Sequence, residues 1–278
     1  MIIKMPVDRS ERERAYLYDL YVAPDWSERF AQLIDEHLQL PKEGRVLYVG
    51  AGTGGHALAL AERAAPEVSF VGVDESAERV AVAEAKAVAA QLNARVEFRL
   101  SQIDALDFAD DEFDFVIGDS SLVATERLPE ILAEMVRVAR GGAIVGMNLT
   151  TSSSFGEFFS IYWEALISTG LEEHAAVVES LITELPTITD AESLAAREGL
   201  DEVQSWTNQE EFNFKSGEDF TAAPLVSDFL FTRWLEPLPD AERERVVHEV
   251  ERIINEERQD ADWAFSIKAT LVSGRKAE

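Results

Sequence analysis

The chain of 278 residues contains no cysteine. Disulfides, thiolate nucleophiles and zinc–cysteine centres are thereby excluded, and a cytoplasmic home is expected. No run of 18 apolar residues occurs, so no membrane span is expected. The opening Met1-Ile2-Ile3-Lys4-Met5-Pro6 is too short in apolar length for a signal peptide. Positive charge is scarce: 25 lysines and arginines face 53 aspartates and glutamates, a formal net charge of −28. Such a surface repels polyphosphate backbones, and Arg9 to Arg14 alternates with glutamate, so no nucleic-acid partner is expected. Histidine occupies only four positions, which leaves few imidazole bases, and no metal site is expected.

What is present is ample core. Hydrophobic residues make up 46% of the chain, enough for one large α/β domain spanning 1–278. Residues 9–22 read as a helix carrying Tyr16, Tyr18 and Tyr21, interrupted by Pro24. Asp25 with Glu28 has the spacing of a capping box. Phe30, Leu33, Ile34, His37 and Leu38 then repeat at helical spacing until Pro41. Strands are expected at 45–49, 68–73, 95–100, 113–118 and 143–148. Helices are expected at 54–65, at 76–92, and from near Pro129 to Gly141-Gly142. This βαβ rhythm with short connections calls for a parallel sheet covered by helices on both faces.

Beyond Thr150 the rhythm changes. Thr150 to Ser154 reads as a loop. Phe155 to Thr169 reads as a helix dense in aromatic residues (Phe155, Phe158, Phe159, Tyr162, Trp163). Further helices are expected at 172–185, 190–198, 217–235 and 240–258. Strand character lies at 200–206, at Phe212 and Phe214, and at 263–273, where Phe265, Ile267, Ala269 and Leu271 alternate with period 2.

The chemistry gathers at strand ends. Val46-Leu47-Tyr48-Val49 runs into Gly50-Ala51-Gly52-Thr53-Gly54-Gly55 and then a helix. Glycines there permit positive φ and close backbone approach to a ligand, and the helix start offers free N–H groups. The spacing satisfies the dinucleotide pattern G-x-G-x-x-G and the G-x-G-x-G of S-adenosylmethionine enzymes alike. In open α/β sheets, ligands lie beyond the carboxyl ends of the strands. Asp74 ends the second strand, where a carboxylate can accept both hydroxyls of a ribose. Ser101-Gln102-Ile103-Asp104 follows the third and could meet a purine edge or simply turn the chain. Gly118-Asp119-Ser120-Ser121 follows the fourth, and Asp119 would point into the cleft over the glycine turn.

Residues 44–150 resemble the class I S-adenosylmethionine-dependent methyltransferases. The matching pieces are the glycine turn, Asp74, Asp104 in Leu100 to Leu106, the run Phe113-Asp114-Phe115-Val116-Ile117, and Arg137-Val138-Ala139-Arg140-Gly141-Gly142. The C-terminal half resembles the family more loosely, through Gly199-Leu200, Val203 and the closing Ala-Thr-Leu-Val-Ser-Gly-Arg-Lys strand. The resemblance implies a doubly wound, seven-stranded Rossmann-like sheet with a C-terminal antiparallel hairpin and helical insertions. It divides the chain into an N-terminal helical lid (1–43), a cofactor-binding half (44–150) and an acceptor-binding half (151–278). It implies S-adenosylmethionine as cofactor, with Gly50, Ala51 and Gly52 at its methionine part. Asp74, with Glu75 beside it, would meet the ribose, Ile103 and Asp104 the adenine, and Asp119 the ammonium end. Tyr48 departs from the pattern, which often has Asp or Glu there.

Methyl transfer from a sulfonium is an in-line displacement that depends on alignment and exclusion of water. No Asn-Pro-Pro-Tyr run supports amino-methylation of DNA bases, and the missing cysteines exclude cytosine-C5 and arsenite chemistry. Asp119, Asn148, Tyr16 and Tyr21 are the candidate polar helpers. The aromatic residues after Thr150 point to a small, apolar or aromatic acceptor, methylated at oxygen, nitrogen or carbon. Alternatives are a non-catalytic cofactor- or partner-binding protein and a methyltransferase acting on a basic protein. A nicotinamide-dependent oxidoreductase, which would need a parallel sixth strand, is a further one. The aromatic helix could instead form a homodimer face.

Overall fold

A computed structural model describes residues 9–257 and 261–278. The opening Met1 to Pro6 and Arg258, the expected end of a helix, lie outside the described residues. In order, the elements are α1 (Glu11–Leu17), a wider helical stretch (Tyr18–Ser27), α2 (Glu28–His37), β1 (Gly44–Val49), α3 (Gly55–Arg63), β2 (Val68–Asp74), α4 (Ala77–Ala89), β3 (Val96–Leu100), β4 (Phe113–Asp119), α5 (Leu128–Val138) and β5 (Ala139–Thr150). Then come α6 (Gly156–Ser168), α7 (Ala175–Glu184), α8 (Ile188–Arg197), β6 (Leu200–Phe214), α9 (Gly217–Ala222), α10 (Phe231–Trp234), α11 (Asp240–Glu257) and β7 (Trp263–Lys276).

The seven strands lie in the order β3-β2-β1-β4-β5-β7-β6. β1 pairs in parallel with β2 and β4, β2 with β3, and β4 with β5. β7 runs antiparallel to β5, from Ile144 opposite Arg275 to Thr150 opposite Ala269. β6 lies on the far side of β7, so the C-terminal antiparallel hairpin of the expected fold closes this edge of the sheet. It puts an antiparallel strand where the oxidoreductase reading needs a parallel one, so that reading fails.

Two compact units divide the chain. The first holds Ser10–Thr150, Thr187–Asn208 and Ala269–Glu278. Its central strands are apolar on both faces, as parallel strands between helix layers must be. Val46, Leu47, Tyr48 and Val49 are all buried, and so are Phe115, Val116 and Ile117. Leu132, Met135 and Val136 of α5 pack onto this core with Val145 and Met147 of β5. Burying a side chain of this kind contributes about 1.5–3 kcal/mol.

Helical structure does not stop at Pro24. Tyr18–Ser27 winds in wider turns, with the Glu28 N–H donating to the Ala23 carbonyl. Proline has no N–H to give an ordinary helix and crowds the preceding turn; a wider winding accommodates it. With no helix start near Asp25, the expected capping box there does not form. A capping box is instead built by Ser10 and Glu13 at the start of α1. β5 is longer than expected because Ala139 to Gly142 continues as strand, with Ala139 opposite Phe113 and a register shift before Ile144.

The second unit comprises Arg9, Thr151–Pro186 and Gln209–Lys268. Its core is aromatic. Phe158 is fully buried, stacks on Trp234 at 4.5 Å and on Tyr162 at 5.5 Å, and tilts against Phe220 and Phe231. Phe265 meets Phe155 and Phe220. The Tyr162 hydroxyl donates to the Trp234 carbonyl, which satisfies the phenol that this packing buries. The expected helix over 217–235 is broken into α9, a wide turn at Leu225–Leu230 and α10. Pro224 supplies the break, since it cannot donate a helical hydrogen bond. Gly217 packs directly on the Glu251 backbone of α11, where a Cβ would collide.

Candidate functional site

Strand order reverses between β1 and β4, and the glycine turn lies at that switch point. Gly50 and Gly52 hold φ of +69° and +56°, conformations that other residues adopt at a cost of about 1–2 kcal/mol. Space enforces the same choice. A Cβ at Gly50 would strike the Asp119 carbonyl, and one at Gly52 would lie 2.7 Å from the Tyr18 hydroxyl. The turn is therefore a cradle in which backbone, not side chain, faces the neighbouring strand end.

Asp74 is buried and already well partnered. Its Oδ2 accepts the Gly52 N–H at 2.9 Å, and its Oδ1 accepts the Ser76 N–H and the Arg79 Nε–H, each at 2.9 Å. The carboxylate thus fixes the glycine turn to the start of α4. Of its partners only Arg79 is a side chain able to swing away and admit a diol. The Arg79 guanidinium also lies over the Tyr18 ring, 5.3 Å from its centroid. Glu75 and Asp104 share one cation. Arg127 donates to both oxygens of Glu75, at 3.0 and 2.6 Å, and through Nε to Asp104 at 2.8 Å. Its hydrogen bond holds the Asp104 carboxyl below the usual range. Ile103 is buried, packed into the core with Val71 and Val73.

Asp119 ends β4, and its Oδ1 accepts the Ser121 N–H at 3.0 Å. Burial pushes its carboxyl above the usual carboxylate range. Asn148 faces it across the sheet and is fully buried. Its side-chain amide donates to the Phe30 carbonyl at 2.9 Å, while its Oδ1 and the Ser120 Oγ find no partner among the described residues. Buried polar atoms left unpaired are costly, and they are the atoms a polar ligand can satisfy. Cradle and unpaired atoms together fit a ligand that is polar where it meets β4 and β5.

The N-terminal helical stretch is pinned over these loops. Asp19 accepts from the Thr53 hydroxyl at 2.6 Å and pairs with Lys86. The Trp26 indole donates to the Ser121 Oγ at 2.8 Å. The tyrosine that reaches the glycine turn is Tyr18, with its hydroxyl 2.9 Å from the Ser27 Oγ. Tyr16 and Tyr21 are 48% and 56% exposed. Arg79, Arg127 and Asp35 join the site without having been expected there from the sequence. A signal existed for Arg79, a cation in the first turn of the helix that follows Asp74. None existed for Arg127, whose two carboxylate partners lie 52 and 23 residues away.

Among the described residues no group of three or more His, Asp or Glu side chains is placed to hold a metal ion, and no helix is long and apolar enough to cross a membrane. The histidines are accounted for: His37 stacks on Trp206 at 4.6 Å, His56 joins Tyr48 and Asp35, His174 opens α7, and His248 pairs with Glu251.

Comparison with known proteins agrees with this arrangement. A ubiquinone/menaquinone biosynthesis C-methyltransferase of Geobacter sulfurreducens is 34% identical over 123 residues, 43% of this chain and 48% of that protein. A demethylmenaquinone methyltransferase of Bacillus licheniformis is 26% identical over 189 residues, 64% of this chain and 78% of that one. The chain thus spans about half the length of the first of these curated relatives. The YcgJ protein of Bacillus subtilis superposes with a TM-score of 0.61 at 17% identity, over 90% of this chain and 99% of its own, and so shares the fold. The family model described as a methyltransferase domain matches residues 40–205. With the glycine cradle, the switch-point carboxylates and the antiparallel seventh strand all inside or framing that span, the chain belongs to the methyltransferase-domain family.

Proposed function

We propose that the protein is an S-adenosylmethionine-dependent methyltransferase acting on a small, apolar or aromatic molecule. The observation that carries this reading is the cradle at Gly50 and Gly52, set at the switch point within the family match and bounded by Asp74, Asp119 and Tyr18. S-adenosylmethionine supplies an activated methyl carbon. The residues that would hold it are Gly50, Ala51 and Gly52 at its amino-acid part, Asp74 and Glu75 at its ribose, Ile103 and Asp104 at its adenine, and Asp119 near its ammonium.

The chain's own work is binding, orientation and exclusion of water. The pinned N-terminal stretch, through Tyr18, Asp19 and Trp26, supports a covering role for it over the cradle. Asn148 is committed to the Phe30 carbonyl through its amide, which favours a bracing role over proton transfer. Asp119 is then the polar helper nearest the turn. Carbon is the methylated atom we favour, because two relatives are named for C-methylation in quinone biosynthesis or for demethylmenaquinone methylation. The aromatic residues of 151–278 are mostly spent on their own core, so the apolar character of the acceptor rests on those relatives more than on free rings.

The test is a calorimetric titration with S-adenosylmethionine, followed by transfer of a labelled methyl group to reduced demethylated quinones and to small phenols and amines. Binding with transfer to the quinone class is expected. No binding at millimolar cofactor overturns the whole reading; binding with transfer only to phenols or amines overturns the carbon assignment.

A further inference from the structure

The glycine turn rests on a chain of three side chains that cofactor binding as described above leaves unused. Tyr48 lies in β1, two residues before Gly50, and is buried. Its hydroxyl is 3.0 Å from Nδ1 of His56 in α3, and the two rings meet edge to face with centroids 5.6 Å apart. Nε2 of His56 is 2.8 Å from Oδ1 of Asp35 in α2, and Arg63 pairs with the same oxygen. Carboxylate, imidazole and phenol are thus joined in line.

With a neutral imidazole, each hydrogen bond in the line has a defined direction. Burial works to raise the Asp35 carboxyl, but the hydrogen bonds from His56 and Arg63 outweigh it and hold the group ionised, well below the usual carboxylate range. An ionised carboxylate only accepts, so Nε2 carries the proton. In the neutral imidazole Nδ1 then accepts, and the Tyr48 hydroxyl must donate to it. The single phenolic proton is committed, and what remains on the oxygen is acceptor capacity alone. β1 and β4 run side by side, and Gly50, two residues beyond Tyr48, abuts the Asp119 backbone. Beside Asp119, the Ser120 hydroxyl is buried without a partner among the described residues. A phenolic oxygen that can only accept and a carboxylate with no cation paired to it among the described residues suit a small cation rich in N–H donors, which a primary ammonium is.

We propose that Asp35 and His56 are positioning residues that lock the Tyr48 oxygen as a hydrogen-bond acceptor, and that Tyr48 and Asp119 together take the ammonium group at the amino-acid end of the bound cofactor. The inference rests on the methyltransferase reading above and deepens it. The chain carries its own means of testing. His56 and Asp35 line an open cavity of about 440 Å³, together with Glu28, Arg29 and Gln32. Free imidazole can enter there and stand in for a missing His56 side chain.

The experiment is calorimetric titration of the full chain with S-adenosylhomocysteine and with its analogue lacking the α-amino group. Unmodified protein should prefer the amine-bearing ligand. His56→Ala and Tyr48→Phe should each lose about tenfold in affinity for S-adenosylhomocysteine, as expected for one hydrogen bond to a charged group, and should bind the deaminated analogue unchanged. Asp35→Asn can offer an N–H to Nε2, which reverses every hydrogen bond in the line and should cost at least as much. Millimolar imidazole should restore His56→Ala but not Tyr48→Phe. Equal weakening toward both ligands, or no weakening, overturns the proposal and leaves the methyltransferase reading standing. Failure of the unmodified protein to bind either ligand overturns both. Thermal melts of each variant, read beside the titrations, distinguish loss of fold from loss of the ammonium contact.

Discussion

Removing the Asp74 carboxylate should damage the fold and the cradle together, by amounts that follow from its partners. The group is 5% exposed and accepts from the Gly52 N–H, the Ser76 N–H and Arg79. Asp74→Ala leaves two backbone donors unsatisfied and the part-buried Arg79 guanidinium without its counter-charge. Breaking a buried charge pair by deleting one partner costs about 3–5 kcal/mol. For a chain of this size each kcal/mol lowers the melting temperature by roughly 2–4 °C, so the lower end of that cost corresponds to a fall of about 6–12 °C. Asp74→Asn keeps the volume and can still accept from one side, so it should fall by less than half as much. Scanning fluorimetry measures both. In parallel titrations with S-adenosylmethionine, Asp74→Asn should weaken binding more than Asp104→Ala, because Asp104 is tied to Arg127 at the rim while Asp74 shapes the turn itself. A melting temperature for Asp74→Ala within 1–2 °C of the unmodified protein, roughly the shift that half a kcal/mol produces, would refute the reasoning. So would equal weakening of binding by the two variants.

Two further outcomes are expected. Asp119 has its carboxyl raised by burial, so the native state binds its proton more tightly than the unfolded chain does. Stability is therefore lost as pH rises from the usual carboxylate value, about 3.9, through the raised one, and the loss persists at neutral pH. Ligand-free Asp119→Asn should accordingly melt higher than the unmodified protein at pH 7, with the gap narrowing toward pH 4; a lower melting temperature at pH 7 would contradict this. Phe158 is fully buried and stacked on Trp234, so Phe158→Ala should cost about 3–5 kcal/mol in urea unfolding and shift tryptophan emission to longer wavelength; a loss below about 1 kcal/mol would show that the aromatic core collapses to fill the gap.

Much of the sheet was legible because its signals are local. A continuous apolar run such as Val46 to Val49 reads as a buried strand, and the period-2 pattern of Phe265, Ile267, Ala269 and Leu271 reads as β7, all four buried. The glycine turn was legible because left-handed backbone and close approach to Asp119 and Tyr18 admit no larger residue. Pro24 misled because the usual consequence of proline is a helix end, whereas a wider winding kept the helix continuous. The break before α10 carried a local signal in Pro224, whereas the added length of β5 depends on how neighbours pair, which no short window of residues reports.

The candidate site divides in the same way. The sequence by itself determined which residues stand at the ends of β1 to β4, since strand, turn and helix follow one another along the chain. Only the tertiary structure decided what those residues do there. It gave Glu75 and Asp104 to Arg127, set Arg79 on Asp74, and brought Tyr18 rather than Tyr16 or Tyr21 to Gly52. It also joined Asp35, His56 and Tyr48. The physical reason is range. Backbone conformation is chosen within a few residues, but a charge or a hydroxyl is satisfied by whatever the completed fold brings within about 3 Å.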